Sequence, residues 1–187
     1  MNGADYTIRS SRDADLPAIS AIYGYHVLHG VASFEEVPPD EAEIARRRGE
    51  IVRRGLPYLV AERAGRVIGY CYAGPFRPRV AYRFTVEDSV YVEAGEIGRG
   101  LGRALLEQVI ARCSELGYRQ MVAVIGGRET LGSVRLHERL GFTHIGILPA
   151  VGFKFDRWID IIMMQRELGP GAGTPPDAAA PVAPPIV

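Results

Sequence analysis

Cysteine is nearly missing from this chain: Cys71 and Cys113 are the two in 187 residues. They lie far apart, each in an apolar run, which excludes a disulfide framework and a CxxC metal or redox site. That usage suits a reducing cytoplasm, and no metal is expected. An excess of charge is also lacking. The 22 Lys and Arg balance 22 Asp and Glu, so there is no surface built to neutralise many phosphates and no nucleic-acid partner is expected. No apolar run reaches membrane-spanning length, and Met1 to Asp5 is not followed by a basic and then apolar pattern. The expectation is a soluble, unexported protein without a membrane partner. There is no internal repeat. From Gly169 to Val187 large apolar residues are scarce, and Gly, Pro, Ala and Val dominate. Such a tail cannot offset its ordering entropy and is expected to be disordered. Residues 1–5 are read as a flexible start and residues 6–168 as one domain.

What is there has clear periodicity. Tyr6 to Arg9 alternates like a short strand, and Leu16, Ile19, Ile22, Tyr23 and Val27 recur at helical spacing behind the capping oxygens of Ser11 to Asp15. Pro38-Pro39-Asp40 opens a second helix with Ile44, Ile51 and Val52 on one side and Arg46 to Arg48 on the other; it stops near Gly55. Tyr58 to Glu62 and Val67 to Ala73 flank Arg63-Ala64-Gly65-Arg66, a hairpin signal. Gly74 to Arg79 is irregular, and Tyr82 to Val92 reads as a long strand. Beyond a glycine cluster, Leu101, Leu105, Val109, Cys113 and Leu116 form one helical stripe that ends at Gly117. Gln120 to Ile125 reads as a buried strand, Gly126 to Gly132 as a loop, and Ser133 to Leu140 as a short helix. Strands at Thr143 to Leu148 and Ile159 to Arg166 close the domain. Between them Gly152 to Asp160, with Phe153, Phe155 and Trp158, is aromatic enough for core or for a subunit contact. Hairpin strands, then a β-loop-α-β unit, then terminal strands predict an α/β or α+β domain with a mixed sheet.

The loop Ile97-Gly98-Arg99-Gly100-Leu101-Gly102-Arg103 leads from a strand into a helix. Small residues let the backbone approach a ligand, and the first turn of the helix points unpaired N–H groups outward. Those donors and the positive helix end suit a pyrophosphate, with Arg99 and Arg103 adding charge. Neither a G-x-G-x-x-G dinucleotide fingerprint nor a G-K-[ST] P-loop is present. A dinucleotide-dependent oxidoreductase therefore fits less well, and little chain remains after the loop for its catalytic domain.

The run Val90-Tyr91-Val92, the Gly100-Leu101-Gly102 loop, Val122-Ala123-Val124-Ile125-Gly126, Ser133-Val134-Arg135-Leu136-His137-Glu138 and Leu140-Gly141-Phe142 resembles the GNAT superfamily of N-acetyltransferases. Within it the chain resembles the phosphinothricin N-acetyltransferase family and its methionine sulfoximine and methionine sulfone acetylating relatives, from about Ile8 to Leu168. Tyr72-Ala73-Gly74-Pro75, Ala81-Tyr82, Glu87-Asp88-Ser89 and Gly152-Phe153-Lys154 extend the likeness. The resemblance implies a mixed, splayed central sheet flanked by helices, with acetyl-CoA lying in the splay and pairing like a strand with Val90 to Val92. It implies cofactor contacts from Val90, Tyr91, Val92, Gly98, Arg99, Gly100, Leu101, Gly102, Arg103, Thr130 and Ser133. Two positions depart from the superfamily pattern: Ile97 stands where Gln or Arg is usual, and Thr130 or Glu129 where Asn is usual. The family also implies a homodimer.

Acetylating an amine requires the neutral amine, and an α-amino group titrates near pH ~8, so a base must take its proton. The family places a catalytic carboxylate at the position of Glu87. Charge developing on the carbonyl oxygen needs an N–H donor, for which Val92 is available, and the leaving thiolate benefits from a proton. His137 lies where many members carry a Tyr acid, with Tyr91 and Tyr82 as competitors for that role. His26, His29 and His144 read as structural. Arg77, Arg79 and Arg83, beside Phe76 and Tyr82, form forks suited to carboxylate, phosphinate or sulfone oxygens. With Phe34, this segment is where the family binds substrate. The reading is an acetyl-CoA-dependent N-acetyltransferase for a small acidic amino-acid analogue. Its rivals are a protein or peptide N-terminal acetyltransferase and a noncatalytic acetyl-CoA-binding module.

Overall fold

A computed structural model describes residues 5–127 and 130–177. Expectations that touch Met1 to Ala4, Glu129 and the tail from residue 178 onward lie outside the described residues. The chain forms β1 (Thr7–Ser10), α1 (Leu16–His29), α2 (Glu41–Arg53), β2 (Tyr58–Arg63), β3 (Arg66–Pro75), β4 (Thr85–Val92), α3 (Leu101–Glu115), β5 (Gln120–Gly126), α4 (Leu131–Arg139), β6 (Thr143–Lys154) and β7 (Arg157–Glu167). These strands make one seven-stranded sheet in the order β1-β2-β3-β4-β5-β7-β6. Its one parallel junction is β4 with β5. Parallel neighbours need a crossover, and α3 supplies it. The mixed α/β architecture expected from the strand pattern is the one adopted.

Strand alternation sends side chains to two apolar layers. Leu59, Cys71, Ala73, Val86, Met121 and Ala123 pack with Leu105, Leu106, Val109 and Cys113 of α3 on one face. Val60, Val67 and Tyr70 meet Ile19, Ile22 and Val27 of α1 and Ile44 of α2 on the other. Asp40 caps α2 by accepting from the Glu43 N–H at 2.8 Å, which satisfies one of the donors orphaned at a helix start. Of the three arginines read on its polar side, Arg48 turns inward and is buried, donating to Ser11 Oγ and Asp13 Oδ1, both at 2.7 Å. Val52, read on the apolar side, is exposed.

Three departures from the sequence reading are local. The long strand starts at Thr85, because Val80–Tyr82 forms a 3₁₀ turn. The last two strands run farther than expected and meet in one hairpin, with Phe153 opposite Trp158 and Lys154 opposite Arg157. The turn between them is Phe155-Asp156, whose φ angles of 54° and 55° put two non-glycine residues in the left-handed region, where apolar periodicity gave no turn signal. Residues after Gly169 fold back on the domain: Arg119 donates to the carbonyls of Gly171 and Pro175, both at 3.1 Å, and to Thr174 Oγ1 at 3.2 Å. No described helix is long and apolar enough to cross a membrane.

Candidate active site

β4 and β5 stay together for three register positions only, Thr85 with Gln120, Val86 with Met121 and Glu87 with Val122. Past Glu87 they diverge, and a cavity of about 290 Å³ opens between them. Its walls are Glu87 to Tyr91 of β4, Ala123 to Gly126 of β5, Thr130, Ser133 and His137 at α4, Ile161 of β7, and Val31, Ala32 and Phe34 of the segment after α1. The backbone of β4 is what makes this gap polar. Phe76 N–H bonds Thr85 O at 3.4 Å and Glu93 N–H bonds Ile68 O at 3.0 Å. Antiparallel pairs alternate, so Glu87, Ser89 and Tyr91 spend their amides on β3, whereas Asp88, Val90 and Val92 turn theirs toward the gap. One of those groups is already matched: His26 Nε2 donates to Val92 O at 2.8 Å. His26, read from sequence as structural, ties α1 to the end of β4.

Between β4 and α3 stands the glycine loop. Gly98 and Gly100 have φ of 80° and 84°, a region open to glycine at little cost, and a Cβ on either would project into open space. Gly102 differs. A Cβ there would lie 3.1 Å from Leu136 and 3.6 Å from Val90, so this glycine serves the packing of α3 between β4 and α4. Ala104 N–H is bonded to Gly100 O at 3.1 Å, and the amides of Leu101, Gly102 and Arg103 before it have no acceptor within the helix. Arg99 is exposed and lies 3.8 Å from buried Glu96. Free amides at the helix start, an unpaired strand edge and a cavity beside that edge fit a long ligand with a diphosphate at one end and amide groups along its arm.

The two carboxylates of β4 go to opposite faces. Glu87 shares its face with the tyrosine layer of Tyr58, Tyr70, Tyr72 and Tyr91, whose rings stack at 4.8 to 6.4 Å. Burial raises the Glu87 carboxyl above its ordinary value, the negative charge of Asp88 raises it further, and Arg77 pulls it back. Asp88 shares the other face with Val86 and Val90, is buried, and meets buried His137 with Oδ2 3.1 Å from Nε2. The other ring nitrogen, Nδ1, lies 2.7 Å from Ser133 O. A carbonyl only accepts, so Nδ1 carries a proton; with an ionised Asp88, Nε2 carries one too. Burial works against that charge, but the hydrogen bond and charge of Asp88 and the Ser133 carbonyl outweigh it, so the His137 pKa is raised. Asp88 Oδ1 is buried without a hydrogen-bond partner.

Of the residues singled out by sequence, the structure brings Glu87, Val90, Tyr91, Thr130, Ser133, His137 and Phe34 to one cavity. Val92, Gly98, Arg99, Gly100, Leu101, Gly102 and Arg103 lie outside the cavity lining, at the end of β4 and around the start of α3. The Thr130 hydroxyl lies 2.8 Å from Gly126 O and 2.6 Å from Gly127 O and ties down the loop after β5. Arg77, Arg79, Tyr82 and Arg83 lie in the exposed connection between β3 and β4, outside the cavity lining. Arg77 sits on the Phe76 ring at 4.9 Å and reaches Glu87 by its charge. Arg83 lies on Phe84 at 4.5 Å, and Tyr82 packs edge-on against Phe76 at 5.7 Å. Tyr91 donates to Ala32 O at 3.4 Å, and burial pushes its phenol well up. Sequence reasoning missed Asp88. The signal was present, since Val86 and Val90 sit two residues to either side and mark that face as the buried one. Among the described residues, no three His, Cys, Asp or Glu are placed to hold a metal.

A family profile described as Acetyltransferase (GNAT) domain matches residues 8–163. The chain is 53% identical over 171 residues to a phosphinothricin N-acetyltransferase of Alcaligenes faecalis, covering 91% of this chain and 87% of that protein. It is 42% identical to an L-methionine sulfoximine/L-methionine sulfone acetyltransferase of Pseudomonas aeruginosa, over 90% of this chain and 98% of the other. The crystal structure of a phosphinothricin acetyltransferase from Sinorhizobium meliloti in complex with AcCoA superposes with a TM-score of 0.91 at 48% identity, covering 94% and 95% of the two chains.

Proposed function

The chain belongs to the GNAT acetyltransferase family, and from that premise we propose that it acetylates the amino group of a small acidic amino-acid analogue, such as phosphinothricin, methionine sulfoximine or methionine sulfone. The observation that carries this reading is the cavity where the unpaired edge of β4 meets a half-buried carboxyl, Glu87. The substrate class rests on the relatives, which are acetyltransferases for these compounds by name, and on Arg77, whose charge reaches Glu87. Acetylation would remove the amine's charge and so inactivate such a compound, a resistance function.

Acetyl-CoA, when bound, supplies an acetyl group activated as a thioester. The amides of Leu101, Gly102 and Arg103, with the side chains of Arg99 and Arg103, hold its diphosphate; the backbone of Val90 and Val92 holds its arm. Glu87 takes the amine's proton. Burial, the first cause of its raised pKa, makes it a stronger base than a free carboxylate, the direction general-base catalysis favours. His137, its pKa raised by Asp88 and Ser133 against the opposing effect of burial, is the group proposed to give a proton to the departing sulfur, with Tyr91 of the same lining as its competitor. Asp88 orients the His137 ring through Nε2, and that contact must open for Nε2–H to reach the sulfur. Arg77 and Arg79 meet the acceptor's acidic groups, and Phe34 and Tyr82 flank it.

A homodimer is also proposed, supported by the apolar side chains exposed on edge strand β6. A cytoplasmic location is supported by two free, buried thiols. The deciding experiment is thiol release from acetyl-CoA over a panel of phosphinothricin, methionine sulfoximine, methionine sulfone, common amino acids and a peptide amine. Turnover of the acidic analogues is expected. Turnover of the peptide amine alone would replace this reading with an N-terminal acetyltransferase, and no turnover with any acceptor would favour a noncatalytic module.

A further inference from the structure

The wall of the cavity facing Glu87 has no regular structure of its own. It is the segment from Gly30 to Phe34, between α1 and α2, and three of its residues line the cavity. Such a segment needs outside help to keep a fixed shape, because its backbone groups are not matched by a helix or a sheet. The help comes from the far end of the chain. Lys154, the last residue of β6, is buried, and its ammonium donates to Val27 O at 2.8 Å, Gly30 O at 2.9 Å and Ser33 O at 2.8 Å. An ammonium has three N–H groups, so this set saturates it. Val27 O belongs to the last turn of α1, where carbonyls lack helical donors and the helix end favours a cation. Gly30 O and Ser33 O bracket Val31 and Ala32 and stand just ahead of Phe34. Among the described residues no carboxylate forms a salt bridge with Lys154.

The same arm shapes the seat of Phe34. Gly152, two residues before Lys154 in β6, lies so close to the Phe34 ring that any Cβ there would overlap it. From the other side, a Cβ on Gly126 at the end of β5 would stand 2.8 Å from the ring and overlap Val31 O. The ring therefore occupies a slot that exists because both neighbours are glycine. Tyr23 adds a side-chain tie, its hydroxyl 2.9 Å from Ser33 Oγ.

We propose that Lys154 is a positioning residue for the acceptor: by gripping the Gly30 and Ser33 carbonyls while Gly152 seats Phe34, it sets the wall against which the amine-bearing substrate is held opposite Glu87. The grip is on the segment from Gly30 to Phe34, which carries none of the residues assigned above to the coenzyme. It rests on the acetyltransferase reading given above. A misplaced wall costs binding and alignment of the acceptor and leaves the coenzyme site as it was.

Lys154→Met keeps the length of the side chain and removes all three donors. It is expected to raise KM for the best panel acceptor by roughly ten- to a hundredfold, with KM for acetyl-CoA within about twofold of the parent. Gly152→Ala, which displaces Phe34 without touching a charge, should give the same acceptor-selective effect and serves if the Lys154 variant fails to fold. Amide hydrogen exchange of residues 30–35, followed without any substrate, is expected to quicken in Lys154→Met while exchange in β2 and β3 stays as in the parent. That readout survives even if no panel acceptor is turned over, so failure of the function and failure of the grip are distinguishable. Unchanged exchange in the segment, or KM values for acceptor and acetyl-CoA that stay put or rise together, would overturn the proposal.

Discussion

Glu87 and Asp88 are adjacent in sequence and opposite in fate, because successive residues of a strand face opposite sides of the sheet. Glu87→Gln keeps the shape and removes the base. Turnover is expected to fall by roughly 10²–10⁴-fold, with acetyl-CoA affinity by calorimetry unchanged; full turnover in this variant would remove Glu87 from the chemistry. Arg77 lowers the Glu87 pKa, so Arg77→Ala should move the acid limb of the kcat/KM profile to higher pH and raise the acceptor KM. A limb that stays or moves down contradicts the contact. His137 has the converse linkage. Its folded pKa is raised above the unfolded value, so the folded protein binds this proton more tightly. The resulting stability is complete below the unfolded pKa of about 6.5 and is lost as pH rises through the folded value. Thermal denaturation of the parent is expected to weaken across that window, and the loss should be smaller in Asp88→Asn. Equal pH slopes in the two proteins would mean that the pair does not exchange its proton with solvent as described.

At the level of elements, the decisive object is the strand, loop and helix formed by β4, the glycine turn and α3. Gly100 holds a φ of 84° as the residue before the helix, where a side chain costs about 1–2 kcal/mol. A Cβ there meets no neighbour, so Gly100→Val should leave a folded protein whose first-turn amides are turned or shielded. Its acetyl-CoA affinity is expected to drop about tenfold or more, read by calorimetry. Affinity equal to the parent's would dissociate the helix start from coenzyme binding. This loop was legible in sequence because its glycines, its arginines and the apolar stripe of α3 are all local signals. The β6–β7 hairpin was not legible to the same degree. Its turn is Phe155-Asp156 rather than a glycine pair, so the two strands looked shorter than they are.

For the whole molecule, the sheet ends at β6 on one side, and that strand exposes Ile145, Ile147, Val151 and Phe153, with Trp158 beside it on β7. An edge strand with so much apolar surface invites pairing. Sedimentation is expected to give twice the chain mass of 20.4 kDa, and Ile147→Lys to shift the protein toward the monomer. A parent that sediments as a monomer at micromolar concentration would reject the dimer.

Periodicity and local motifs were sufficient to determine the order of strands and helices and the glycine loop ahead of α3, because each depends on neighbours within a few positions along the chain; the choice of Glu87 came from the family resemblance. The tertiary structure alone decided that β4 and β5 part company after Glu87, that Asp88 holds His137 at a sequence separation of 49 residues, and that Lys154 reaches back across 121 residues to Ser33. Those contacts depend on how elements pack in space. No spacing along the chain encodes them, and they are what shapes the cavity beside Glu87.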